Sequence, residues 1–70
     1  MQPGAQSMIK YYRRFLSESD QWYEIDKDRF IQMLNDNYPS ANIDTATRLC
    51  INNKDVVFST NFSDYKITDE

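Results

Sequence analysis

The sequence predicts a small α+β domain in which two to three helices precede a C-terminal β-hairpin. Three observations carry this expectation. Met8, Tyr11, Tyr12, Phe15 and Leu16 recur at the spacing of an amphipathic helix. The stretch from Asp26 to Pro39 carries helix signals at both ends. DVVFST and DYKIT are two β-rich runs joined by NFS.

The first seven residues, MQPGAQS, are polar, hold the only glycine, and precede a second methionine. They are expected to be a disordered leader or a cloning scar, leaving residues 8–70 as the domain. The first element then follows from the stripe at Met8 to Leu16, with Ser7 as its N-cap. As a strand, KYYRRF would place rings and charges on both faces. As a helix it segregates them, turning the rings inward and lining the solvated side with Lys10, Arg13 and Arg14. SESDQ reads as a loop and WYEI as a short strand.

Asp26 is the expected N-cap of the next helix, with Ile25 and Phe30 placed to form a hydrophobic staple. Phe30, Ile31, Leu34 and Tyr38 would form its buried stripe, and Pro39 would end it. Residues 43–50 admit two readings. A helix capped by Ser40 or Asn42 would bury Ile43, Ala46, Leu49 and Cys50, whereas a strand would turn Leu49 and Ile51 inward. The helix is the expectation. The hairpin should run over Val56 to Thr60 and Tyr65 to Thr68, reversing at Asn61. Because residues 8–70 contain no glycine, the six asparagines and the aspartates are expected to make the turns, by tolerating left-handed backbone and by bonding to nearby backbone groups.

Composition excludes much chemistry. Without histidine there is no imidazole proton shuttle, no Ser–His or Cys–His nucleophile pair, and none of the common zinc sets. The single cysteine, Cys50, allows no internal disulfide and reads as a small buried residue, so an intracellular home, cytoplasmic or nuclear, is expected. The Asp26–Asp28 pair lacks the glycine of a calcium loop, since Ile31 stands at that place. With no glycine-rich loop there is neither a phosphate loop nor a dinucleotide fingerprint. The NFS match to a glycosylation acceptor is read as incidental. No apolar run approaches the roughly 18 residues of a membrane span. The expectation is a non-catalytic module with no cofactor and no membrane partner, monomer and dimer being equally compatible with the sequence.

Helix, short strand YEI, helix DKDRFIQMLNDN, helix NIDTATRLC and hairpin VVFSTNFSDYKI form an order that resembles a winged helix-turn-helix domain over Met8 to Thr68. The resemblance implies nucleic-acid binding, DNA foremost, in replication or transcription control. It makes NIDTATRLC the recognition helix and offers Thr45, Thr47 and Arg48, then Asn52, Asn53 and Lys54, to base edges. Lys10, Arg13, Arg14 and Lys66 would meet phosphates.

Charge supports a second expectation. The chain carries −3 overall, with +3 on residues 1–16, −5 on residues 17–44 and −1 on residues 45–70. An acidic chain gains from counterion release only if its bases gather on one face. The alternative function is therefore a small acidic inhibitor or adaptor that docks on a basic protein surface through Glu18, Asp20, Glu24, Asp26 and Asp28.

Overall fold

A computed structural model describes residues 8–18 and 20–70; the expectations for residues 1–7, Ser7 as a cap included, lie outside the described residues. The chain runs β1 (Ile9–Phe15), β2 (Tyr23–Ile25), α1 (Lys27–Asn37), α2 (Ile43–Asn52), β3 (Phe58–Ser59) and β4 (Ser63–Asp69). The strands form one antiparallel sheet in the order β2-β1-β4-β3. The α+β class is as expected, but the element order is not.

The correction falls on the first element, where Ile9–Phe15 is a strand and not a helix. β1 pairs with β4 at seven positions, from Ile9↔Asp69 to Phe15↔Ser63, and with β2 at three, from Tyr11↔Ile25 to Arg13↔Tyr23. Ile9, Tyr11, Arg13 and Phe15 alternate onto one face. The helical stripe omitted Ile9, and Arg13 interrupts the strand pattern, so the local signal was ambiguous. Two flanking strands rich in β-favouring residues decided it. A central strand therefore stands where the winged-helix order has its first helix.

α1 forms as its punctuation dictates. The Asp26 side chain accepts from the Arg29 amide at 2.9 Å, and Tyr38, outside helical geometry at φ −137° and ψ 65° before Pro39, ends the helix. Phe30, Met33 and Leu34 are buried and Ile31 is half-buried. Residues 43–52 are helical, with Asn42 as the cap, accepting from the Thr45 amide at 2.8 Å. Ala46 and Cys50 are buried, but Leu49, expected inside, is 49% exposed. The hairpin is present with a shorter first arm and a longer second, pairing Phe58 with Tyr65 and Ser59 with Asp64.

No described residue has positive φ. The asparagines and aspartates turn the chain by bonding to backbone: Asp26 and Asn42 as caps, and Asn53 by accepting from the Asp55 amide at 2.9 Å. The left-handed conformations expected of them are not used. Capping already satisfies the amides at these turns.

Both helices pack on one face of the sheet. Phe30, fully buried, meets Tyr11 of β1, Phe58 of β3 and Tyr65 of β4 with ring centroids 5.5, 5.9 and 6.0 Å away. Met33, Leu34, Ala46, Cys50 and Ile67 complete the core. Odd-numbered residues of β1 and β4 thus face the helices, and even-numbered ones face away. Among the described residues, no helix is long and apolar enough to cross a membrane.

Candidate nucleic-acid interface

The open face follows from that alternation. β1 contributes Lys10, Tyr12 and Arg14; β4 contributes Asp64, Lys66 and Thr68; β2 contributes Glu24. Tyr12 lies opposite Lys66 in the β1–β4 register and opposite Glu24 in the β1–β2 register. Trp22, one residue before β2, is half-buried against this face. The Arg14 guanidinium lies 4.5 Å from the Trp22 ring centroid and the Lys66 ammonium 4.3 Å from it. Lys66 also stands 5.7 Å from the Tyr12 ring centroid. Two cations and two rings therefore share one patch, in an arrangement that cation–π attraction stabilises.

Carboxylates temper the charge of this patch. Arg14 donates to Asp64 Oδ2 at 2.7 Å, and the Ser59 hydroxyl donates to Asp64 Oδ1 at 2.8 Å. The Arg14 bond holds the Asp64 carboxyl below its ordinary range, against the opposing effect of burial. Glu70 accepts from the Tyr12 hydroxyl at 2.7 Å and the Thr68 hydroxyl at 2.8 Å, with Lys10 Nζ at 3.7 Å. The Tyr12 bond lowers the Glu70 carboxyl and, seen from the other side, raises the Tyr12 phenol. Lys66 belongs to neither ion pair.

The ten residues singled out from sequence do not form one surface. Lys10, Arg14 and Lys66 come together on the open face. Arg13 is on the opposite face, its guanidinium 4.6 Å from the Phe15 ring centroid. α2 also packs on that face, so Thr45, Thr47, Arg48 and Asn52 lie across the sheet from the three cations. Thr47 spends its hydroxyl hydrogen on the Ile43 carbonyl at 2.7 Å, one turn back in its own helix. Arg48 lines a shallow hollow with Ile9, Lys27 and Ile43. Asn53 is committed to the Asp55 amide. Lys54 reaches the sheet margin, where it and Lys66 line a groove of about 300 Å³ beside Cys50 and Ile67.

The sequence reading missed Tyr12 and Trp22. Treating residues 8–16 as a helix sent Tyr12 to the core, whereas period-two alternation from Lys10 would have set Tyr12 beside Lys10 and Arg14. Nothing local marks Trp22, because its partners Arg14 and Lys66 come from two other strands. Among the described residues, no group of three or more His, Cys, Asp or Glu side chains is placed to hold a metal ion. No protein-family model matches the chain, and neither a curated protein nor a solved structure does.

Proposed function

We propose that this chain is a non-catalytic module that binds single-stranded nucleic acid, DNA foremost, on the open face of its sheet. The observation that carries the reading is the Trp22 ring flanked by Arg14 and Lys66, with Tyr12 alongside. Aromatic rings on a sheet hold unstacked bases, while neighbouring cations meet the backbone. A broad sheet face does not enter the major groove as a helix does, so duplex should bind less well. The winged-helix likeness contributes only its second half, helix pair and hairpin, and service in replication or transcription control remains part of the proposal. Salt should weaken binding modestly, because two of the three cations already have carboxylate partners. One to three phosphate contacts at a slope of about −0.7 each predict a loss of about threefold to twentyfold between roughly 50 and 200 mM salt.

The test is fluorescence anisotropy with labelled oligothymidine and a duplex. Trp22→Ala, with folding checked by circular dichroism, should weaken single-strand binding by about five- to 150-fold, the range for loss of one stacked base. Arg48→Glu should leave it intact. Unchanged affinity in Trp22→Ala, or loss in Arg48→Glu, would return the site to α2 or remove it.

One observation favours a second reading, the acidic adaptor. Glu18, Asp20, Glu24, Asp26 and Asp28 are all exposed and belong to neither ion pair. They fall in the segment from the end of β1 to the first turn of α1, where Glu18 accepts from the Tyr23 hydroxyl and Asp26 caps the helix. Glu24→Lys with Asp28→Lys should abolish capture by a basic partner protein under this reading, and oligothymidine binding would then be absent in the parent.

A further inference from the structure

A cleft of about 370 Å³ opens at the Phe15 end of the helix-covered face, away from the patch of Lys10, Tyr12, Trp22 and Lys66. Its walls are Arg13 and Phe15 of β1, one stripe of α1 that includes Arg29, Asp36 and Asn37, and the β3–β4 turn around Asn61 and Phe62. The volume lies at the lower end of the range for small-molecule sites.

Two features of the walls ask for a ligand. Arg13 is half-buried and belongs to neither ion pair, and its Nε is shielded from solvent with no hydrogen-bond partner among the described residues. A half-buried cation without a carboxylate partner is costly, and an oxyanion in the cleft offsets its charge. Arg29, on the opposite wall, also belongs to neither ion pair. Its neighbour Asp36 is already engaged by the Gln32 side-chain amide, with contacts of 3.2 and 3.3 Å. The charged walls thus sum to +1 in a chain of −3.

We infer that this cleft is a binding site for a phosphate group, held between the guanidinium groups of Arg13 and Arg29. A guanidinium fork matches two oxygens of a tetrahedral anion, and a pair of forks favours the dianionic form. Phe62, 79% exposed at the turn, and Phe15 supply rings against which the esterified part of a monoester would rest. The site is independent of the nucleic-acid reading, since its two arginines lie outside the Trp22 patch.

The experiment is an ¹⁵N–¹H NMR titration at constant ionic strength with inorganic phosphate and, separately, phenyl phosphate. Saturable shifts should centre on the amides of Arg13, Arg29, Asn37 and Asn61. Arg29→Gln, at an exposed helix position, should weaken binding by at least about fivefold. Arg13→Lys, which keeps the charge and loses the fork, should do the same, and Arg29→Gln decides alone if that variant unfolds. Lys66→Gln and Trp22→Ala should leave phosphate binding unchanged. Phenyl phosphate binding at least about tenfold tighter assigns the cleft to esters, and equal affinity assigns it to the free anion. No saturable shift by about 20 mM of either probe, or equal affinity in Arg29→Gln, overturns the site.

Discussion

Phe30 joins α1 to three of the four strands, and its truncation is the sharpest test of this packing. Its side chain is fully buried and meets rings from β1, β3 and β4 at 5.5 to 6.0 Å, two of them edge-on at 89°. Phe30→Ala removes the burial of a phenyl group and leaves a cavity, a change that costs about 3–5 kcal/mol. The aromatic contacts, at roughly 0.5–1.5 kcal/mol each, place it toward the upper end. A single core in a chain this short supplies about 3–5 kcal/mol in total, so the variant should be largely unfolded at 25 °C. Phe30→Leu keeps the site apolar but loses about three carbons, at roughly 0.8 kcal/mol each, or about 2.4 kcal/mol. Urea unfolding followed by Trp22 fluorescence and circular dichroism reads the difference. With a slope near 1 kcal/mol/M, Phe30→Leu should lower the midpoint by about 2 M. A Phe30→Ala variant that unfolds cooperatively within about 1 kcal/mol of the parent would show that the core is not organised around this ring.

Three further predictions follow from the open face and the core. Asp64→Asn should cost about 1–2 kcal/mol, kept low because the Arg14 side chain is 29% exposed. The Asp64 carboxyl is depressed by its Arg14 bond, so the stability it contributes is fully present above about pH 4 and is lost as pH falls through its lower folded value. The variant should flatten the acid limb of a stability–pH curve, and an identical limb would contradict the assignment. Glu70→Gln removes a carboxylate that holds Tyr12 and neighbours Lys10, so single-strand affinity should rise by about two- to fivefold, roughly one phosphate contact; unchanged anisotropy would take Glu70 out of the account. Cys50 is 3% exposed and burial pushes its thiol up, so alkylation of the folded chain should run at least about 100-fold slower than in urea, and equal rates would place the thiol at the surface.

The interface itself was barely legible in the sequence. Its cations were named, but together with seven residues that the fold sends elsewhere, and the rings that give the patch its character were not named at all. Arg14 and Asp64 are fifty positions apart, and Lys66 reaches Trp22 across a strand that separates β4 from β2. No window along the chain contains such a neighbourhood.

The sequence by itself determined whatever depends on residues a few positions apart. Asp26, Ile25, Phe30 and Pro39 set the limits of α1, and two β-rich runs about Asn61 set the hairpin; residues 43–50 favoured a helix but also admitted a strand, and the fold chose the helix and Asn42 over Ser40 as its cap. Caps, staples and turns act within one helical turn or one chain reversal, so their causes lie beside their effects. Tertiary structure alone decided Ile9–Phe15. Its apolar residues satisfy a helical period and, with Ile9 counted and Arg13 as the one interruption, an alternating one as well. The choice came from backbone groups of Ser63–Asp69 and Tyr23–Ile25, which meet it only once the chain has folded. That pairing turned Tyr12 from the core to the open face and separated Arg13 from Arg14, and both candidate sites depend on it.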